Sequence, residues 1–146
     1  MMLNDAIGDA APGDLADADY AALADFRHAL RRFLSFSEDA ATARGLTPQQ
    51  HQALLAIRGA GDRPVTVGYV AERLILKPHS ATGLIDRLEA LGLVERRAAP
   101  GDRRRALLVL TDKAREQLAQ LTATHREEIL RLRPLLSDLL HQIDGR

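Results

Sequence analysis

The sequence predicts a mainly α-helical fold with a small β-hairpin, which belongs to the α+β class. Apolar residues recur at helical spacing through most of the 146-residue chain. Near residue 100 the pattern changes, because two short runs rich in Leu and Val flank a turn signal at Pro100, Gly101 and Asp102. A chain of this length can bury one core without disulfides or a structural metal.

Composition excludes several classes of protein. The hydrophobic share of 46% and the charged share of 27% are typical of a soluble globular protein, and 3% aromatic residues are too few for stacking on single-stranded bases. The absence of cysteine excludes disulfides, thiolate metal sites and a thiol redox sensor. The sequence has neither a signal-peptide pattern nor a run of about 18 apolar residues, so we expect a cytoplasmic protein without a membrane segment.

The N-terminal part is predicted to contain a tail and a long helix. Residues 1–17 mix Ala, Asp, Gly and Pro without apolar periodicity, which indicates a mobile acidic tail before a single domain at 18–146. A helix is predicted from Asp19 to Ala43. The apolar residues on one face of this helix are Leu23, Phe26, Leu30, Phe33 and Leu34. We expect this face to pack on the C-terminal helices.

The next helix has a clear start signal. Thr47 suits the N-cap, Pro48 suits the first helical position, and Gln50 completes a Thr-x-x-Gln capping box. This helix is expected to support the motif that follows it.

Residues 65–111 are predicted to form two short helices and a hairpin. Thr66 can cap a helix from Val67 to Leu74, a turn follows at Leu76 and Lys77, and the second helix opens at Pro78. Its predicted buried stripe is Ala81, Leu84, Ile85, Leu88 and Leu91. Its opposite face holds His79, Thr82, Asp86 and Glu89, with Ser80, Gly83 and Arg87 toward the edges. These side chains suit base edges or phosphates in a major groove, although a solvated polar face is the alternative.

The hairpin carries consecutive arginines. Strands are predicted at Leu93–Arg97 and Ala106–Leu110, and Arg103, Arg104 and Arg105 stand near the loop between them. Guanidinium groups suit a narrow minor groove or its flanking phosphates, whereas alone such a run more often protects a strand edge from aggregation. Directly after two helices of this kind, the hairpin is interpreted as the wing of a winged helix-turn-helix spanning residues 46–111.

The segment from Leu84 to Thr111 resembles the MarR family of winged-helix regulators. The shared features are its Leu-x-x-x-Gly-Leu-Val turn, its Asp-x-Arg wing tip and its Leu-Thr entry to the next helix. The resemblance implies that Asp102 braces the wing, that Arg104 enters the minor groove, and that the N-terminal half of the Pro78 helix lies in the major groove.

Two positions depart from the family pattern. Gly83 stands where many relatives carry a larger, often basic residue, so one expected contact is missing, and Ala114 replaces a common glycine. Gly83 also costs about 1 kcal/mol relative to alanine inside a helix, and Lys77 is a poor N-cap because it offers no acceptor. We hypothesise that Gly83 permits close approach to DNA; a looser helix end is the alternative.

The formal net charge of zero conceals an uneven distribution. Residues 63–105 hold nine basic and five acidic residues, a local net charge of +4, while the first nineteen residues hold five aspartates and no base. A local positive charge of this kind is expected of a DNA-binding surface.

The C-terminal part is predicted to form a long helix that Thr111 caps and Pro134 interrupts or restarts. The apolar residues after Pro134 are Leu135, Leu136, Leu139, Leu140 and Ile143. With the Asp19 helix they suggest a homodimer interface formed by residues 18–44 and 112–146. The alternative is an intramolecular helical hairpin, and the family resemblance favours the dimer.

The sequence shows no catalytic motif, so we expect neither an enzyme nor a cofactor. The five histidines are scattered singly and are interpreted as capped or solvated rather than as metal ligands. Asp86 and Glu89 are interpreted as tuning base preference or a neighbouring arginine.

The expected function is therefore a sequence-specific transcriptional regulator, a repressor, that binds a pseudo-palindromic DNA duplex as a homodimer. We expect His79, Ser80 and Thr82 to contact bases or nearby phosphates, and Arg87 and Arg103 to contact the DNA backbone. The resemblance implies release by a small aromatic or anionic effector, for which His28 and Arg31 are candidates. The alternatives are a winged-helix module that binds another protein and no DNA, and an enzyme whose site forms only across a dimer.

Overall fold

A computed structural model describes residues 12–144, without the side chains of Pro12 and Arg103. The elements in this range are α1 (Asp17–Ala43), α2 (Pro48–Gly59), α3 (Val67–Leu74), α4 (Pro78–Ala90), β1 (Val94–Ala99), β2 (Asp102–Leu110) and α5 (Asp112–Asp144), after a 3₁₀ turn at Pro12–Asp14. This mainly helical fold with one hairpin confirms the predicted fold class. Most of the predicted tail, residues 1–11, lies outside the described residues.

Side-chain caps start the helices where the sequence predicts. The Gln50 N–H donates to Thr47 Oγ1 at 3.1 Å and the Thr47 N–H donates to Gln50 Oε1 at 3.0 Å, which is the complete capping box. Thr66 caps α3 and Thr111 caps α5 in the same way, each accepting from a backbone N–H at 3.2 Å. By contrast, Lys77 makes no side-chain cap at α4.

The core lies where α2, α3, α4, the hairpin and the first half of α5 meet. The largest fully buried side chains are Leu54, Val70, Leu84, Ile85, Leu88, Leu93, Val94 and Leu121. Ala81 of α4 is buried as well, so the predicted stripe of that helix is confirmed except at Leu91. Leu91 follows the last helical residue and is 45% exposed, because the helix ends before its side chain reaches the core.

The turn between α3 and α4 begins one residue earlier than predicted. Ile75 ends α3 in the left-handed conformation, with φ of 55°, a conformation that strains a β-branched residue. The Ile75 and Leu76 N–H groups donate to the Glu72 and Ala71 carbonyl oxygens. These bonds close α3 and reverse the chain in time for Pro78 to start α4.

The hairpin is antiparallel and both strands are longer than predicted. Val94 pairs with Leu110 and Arg96 with Leu108, and the pairing continues to Ala98 and Ala106. The Leu108 N–H also donates to the Val65 carbonyl oxygen at 2.8 Å. This bond ties β2 to the segment before α3.

The two long helices, α1 and α5, pack on each other as predicted, but through a different face of α1. The buried residues of α1 are the small Ala22, Ala29 and Ala41, which allow the two backbones to approach. The predicted packing residues Leu23, Phe26, Leu30 and Leu34 are exposed instead. The apolar stripe of α5 is also only partly buried. Its first half lies in the core, while Ile129, Leu140 and Ile143 are more than half exposed.

Pro134 does not interrupt the C-terminal helix. α5 runs through it from Asp112 to Asp144, so the predicted break is wrong. A proline inside a helix removes one hydrogen bond to the carbonyl four residues earlier. Both Pro134 and Leu130 are exposed here, so solvent can serve that carbonyl oxygen. Within residues 12–144, no helix is long and apolar enough to cross a membrane.

Candidate nucleic-acid interface

The outer face of α4 is held rigidly and presents polar side chains to solvent. Its inner face is anchored by Leu84, Ile85 and Leu88, each at most 2% exposed. The opposite face is open at every position that the sequence assigns to it, with Gly83 partly covered; these positions are His79, Ser80, Thr82, Gly83, Asp86, Arg87 and Glu89. The buried face therefore fixes which side chains α4 presents to solvent.

Thr82 differs from its neighbours because its side chain already makes a hydrogen bond within the helix. Its hydroxyl donates to the Pro78 carbonyl oxygen at 3.1 Å, so its proton is used within the helix. Its methyl group and its remaining lone pairs stay outward. In the described part of the chain the side chains of His79, Ser80 and Arg87 make no hydrogen bond, so their donors remain available.

Gly83 lies beside Arg87 on the same face. A Cβ at position 83 would meet Arg87 Nη2 at 3.6 Å, which is ordinary contact. Nothing inside the protein therefore requires glycine at this position.

The wing tip is built by an irregularity in the hairpin. Ala98 pairs with Ala106 but Ala99 pairs with Asp102, so residues 103–105 bulge out of the ladder. The turn that precedes them uses Gly101 with φ of 79°, a conformation that favours glycine. The Asp102 carboxylate accepts a hydrogen bond from the Arg104 N–H at 3.0 Å. This bond fixes the backbone that carries Arg104.

Of the three wing arginines, Arg104 and Arg105 are exposed. The side chain of Arg103, predicted as a backbone anchor, lies outside the described part of the structure. With Arg104 placed on a braced backbone, the bulge projects permanently charged guanidinium groups into solvent.

An ion-paired cluster links the hairpin to α4, and sequence reasoning missed its central residue. Arg96 Nη2 lies 2.7 Å from Asp86 Oδ1, and Arg96 Nη1 lies 3.2 Å from Glu89 Oε1. Asp86 and Glu89 are three residues apart and therefore share one helix face. The neighbouring arginine expected for these acids is thus Arg96 on β1. The available sequence signal was alternation along the strand, which places Arg96 on the same side as buried Val94.

A second set of bonds fixes the connection after α4. Thr111 Oγ1 donates to the Gly92 carbonyl oxygen at 2.7 Å, and Lys113 Nζ donates to the Leu91 carbonyl oxygen at 3.1 Å. Both donors lie at the start of α5. The C-terminal end of α4 is therefore attached to the long helix that leads away from this surface.

Two histidines that are far apart in the sequence meet where α1, α2 and α5 join. The rings of His51 and His125 are 4.9 Å apart between centroids and both are buried, so the expectation of solvated or capped single histidines is wrong for this pair. His125 Nε2 contacts Ser37 Oγ at 2.8 Å and its Nδ1 contacts the Leu121 carbonyl oxygen at 2.7 Å. His51 Nδ1 is buried without a hydrogen-bond partner.

The environment of His51 disfavours its charged form. Burial, which penalises the charged imidazolium, lowers the pKa of His51 below its usual value, and the nearby His125 lowers it further. The described residues contain no group of three or more His, Cys, Asp or Glu placed to hold a metal ion. Burial and the neighbouring ring therefore favour the neutral form of His51.

A cavity of about 380 Å³ opens beside this pair. Phe33, Leu55 and Ile129 form apolar walls, and Arg126 lines it as well. The sequence candidates for an effector site, His28 and Arg31, are exposed on α1 and do not line this cavity.

The chain resembles a known family of regulators. The profile of the MarR family matches residues 44–105. A curated relative, an uncharacterised HTH-type transcriptional regulator YcgE of Bacillus subtilis, is 34% identical over 96 residues, which cover 66% of this chain and 61% of the relative. The match thus spans about three fifths of the length of that relative.

Solved structures share the fold. A variant of MepR from S. aureus bound to an oligodeoxyribonucleotide has a TM-score of 0.68 at 18% identity, covering 86% of this chain and 98% of that chain. CouR from Rhodococcus jostii, solved with p-coumaroyl-CoA, has a TM-score of 0.61 at 26% identity, covering 77% of this chain and 83% of that chain.

We predict that the stability of the protein falls as the pH is lowered from 7 to 5. The lowered pKa of His51 means that the unfolded chain takes up a proton near pH 6.5 while the folded chain resists it, so acid favours unfolding. The contribution per proton is at most about 1.4 kcal/mol per pH unit. The measurement is urea denaturation across this range at fixed protein concentration.

The variant His51→Phe keeps an aromatic ring in the cluster but cannot titrate, so it should reduce the slope of unfolding free energy against pH. His141→Phe, at an exposed position, controls for the loss of a histidine. If the slope for His51→Phe equals that of the wild type, the pH dependence of stability does not come from His51.

Proposed function

Since the chain belongs to the MarR family, we propose that it is a sequence-specific regulator that binds double-stranded DNA as a homodimer and acts as a repressor in the cytoplasm. The matched family and the curated relatives are transcriptional regulators, not enzymes. One observation carries the proposal: α4 buries one face completely and leaves its polar face exposed, next in the chain to the hairpin that bears the exposed Arg104.

In the proposed complex, α4 lies in the major groove with its N-terminal half against the bases. A helix of this width fits that groove. His79, Ser80 and Thr82 contact base edges or nearby phosphates, and Arg87 contacts a phosphate. Gly83 allows the helix backbone to approach the duplex. These roles are supported by the exposure of His79, Ser80, Thr82 and Arg87, and the partial exposure of Gly83, on a helix whose reverse face is buried.

The wing complements this contact in the flanking minor groove. Arg104 enters the groove, Asp102 braces it, and Arg103 contacts the backbone. A narrow minor groove concentrates negative potential and attracts guanidinium groups. The local net charge of +4 over residues 63–105 supports the proposal that this surface binds the phosphate backbone.

A homodimer places two such surfaces on one duplex. Residues 18–44 and 112–146 form the proposed interface, and residues 46–111 contact DNA. The support is an open apolar cavity of about 540 Å³ between α1 and α5, lined by Leu23, Phe26, Leu139, Leu140 and Ile143 among others. Exposed apolar surface can serve as an association site, and a second copy of the same surface can cover it by two-fold symmetry.

We further propose that a small aromatic or anionic molecule releases the DNA by binding the cavity beside His51 and His125. Its apolar walls suit an aromatic group, and Arg126 suits an anion. The cavity joins α1 and α5 to α2, which supports the DNA-contacting helices. Occupying it would change the distance between the two α4 helices of the dimer.

The proposal is tested by selecting duplexes from a random pool with the wild type and with Arg104→Ala at two salt concentrations. The wild type should enrich an inverted repeat, and its affinity should fall steeply with salt because phosphate contacts release counterions. The variant should bind that repeat about tenfold more weakly, since a minor-groove arginine is lost. Failure of the wild type to enrich any duplex, with equally weak binding at both salts, would contradict the function.

Gly83→Ala separates DNA contact from stability. The substitution meets no clash inside the protein and should stabilise the fold by about 1 kcal/mol, while weakening binding to the selected duplex because the new methyl group lies at the interface. Urea denaturation and fluorescence anisotropy measure the two effects. Gly59→Ala, with open space around it in α2, should leave DNA binding unchanged. Unchanged affinity of Gly83→Ala would count against a close approach here.

Leu140→Glu tests the dimer. Leu140 is 62% exposed and lines the apolar cavity between α1 and α5, so a buried charge there should dissociate the subunits. Sedimentation equilibrium should show twice the 16.0 kDa chain mass for the wild type and the single mass for the variant. Gln142→Glu adds the same charge on the opposite side of α5 and should remain dimeric. A monomeric wild type at micromolar concentration would contradict the interface.

A further inference from the structure

Arg96 occupies a position that differs from those of the other wing arginines. It alternates with Val94 on the face of β1 that is paired with buried Leu108 and Leu110. Its aliphatic stem therefore runs along apolar surface while its guanidinium reaches α4, and its side chain is only 26% exposed.

The contacts of Arg96 join two elements that otherwise carry separate parts of the interface. One guanidinium binds Asp86 through Nη2 and Glu89 through Nη1. The planar fork of arginine holds two acceptors in fixed directions, which an ammonium group cannot do. Asp86 and Glu89 lie on the outer face of α4, and β1 leads directly to the bulge with Arg104.

We propose that Arg96 is a positioning residue that sets the orientation of the hairpin relative to α4, and thereby places Arg104 for the minor groove while α4 occupies the major groove. This inference rests on the proposed DNA binding for its purpose, but the orientation itself is a property of the free protein. The two acids on α4 then serve as anchors for the wing rather than as base-reading groups.

Arg97 provides a matched control on the same strand. It is the adjacent residue, carries the same charge and pairs with Glu95 at 3.1 Å within β1. It is 64% exposed and faces away from α4. Replacing Arg97 by Gln removes one positive charge from the wing without removing a link between the elements.

The first measurement uses the free protein. Residual dipolar couplings of backbone N–H groups in α4 and in the hairpin should fit one alignment frame in the wild type and in Arg97→Gln. In Arg96→Gln the hairpin couplings should depart from the frame defined by α4. Couplings that fit one unchanged frame in Arg96→Gln would overturn the proposal, because the hairpin would then be oriented without Arg96.

The second measurement is a double-mutant cycle on the duplex that the wild type enriches from a random pool. Arg96→Gln should weaken binding about fivefold in the wild-type background and clearly less in the Arg104→Ala background, because the Arg104 contact that depends on the hairpin orientation is already lost there. Arg97→Gln should have the same effect in both backgrounds. Equal losses for Arg96→Gln in both backgrounds would overturn the positioning role.

The two measurements distinguish failure of this inference from failure of the proposed function. A wild type that binds no duplex would refute the function, and the dipolar couplings would still decide whether Arg96 orients the hairpin. A reoriented hairpin in Arg96→Gln without loss of DNA affinity would refute the proposal that this orientation places Arg104 for the minor groove.

Discussion

The rest of this structure depends on the burial of one face of α4. Leu84, Ile85 and Leu88 are almost completely buried, and each such side chain stabilises the fold by about 1.5–3 kcal/mol relative to leaving it in water. Packing of α2, α3 and the hairpin around these residues fixes how the helix is rotated. That rotation alone determines that His79, Ser80 and Thr82 face outward. The proposed interface is thus a direct consequence of how the core is packed.

Electrostatics then organises the surface that the core presents. The formal net charge of the chain is zero, yet the charges are separated, with acids concentrated near the N-terminus and bases around the hairpin. Within the proposed interface, Arg96 neutralises part of the charge of Asp86 and Glu89, which would otherwise repel a phosphate backbone. Exposed ion pairs add little stability. The value of this cluster lies in the geometry it imposes on two elements that must act together.

Local signals in the sequence predicted much of the fold, and long-range contacts explain what they missed. The capping box at Thr47 and the apolar stripe of α4 depend on residues within a few positions of each other, so spacing suffices to find them. The pairing of His51 with His125 joins residues that no local pattern relates. The residues that α1 buries against its surroundings were predicted wrongly, because the helix buries small alanines while Leu23, Phe26, Leu30 and Leu34 stay exposed. Pro134 was accommodated because its surroundings are exposed. The sequence predicted α4 and the wing as the candidate site. The role of Arg96 could not be predicted, because its contacts with Asp86 and Glu89 form only when β1 lies against α4.

The most direct test of this account is hydroxyl-radical footprinting of the wild-type protein on the duplex it selects. Two α4 helices related by a two-fold axis should protect two symmetric tracts whose centres are about one helical turn, roughly 10 base pairs, apart. Each tract should be flanked on its outer side by protection of a minor groove, where the wings lie. A single protected tract, or two tracts without flanking protection, would contradict the account in which α4 and the wing contact DNA together in a symmetric dimer.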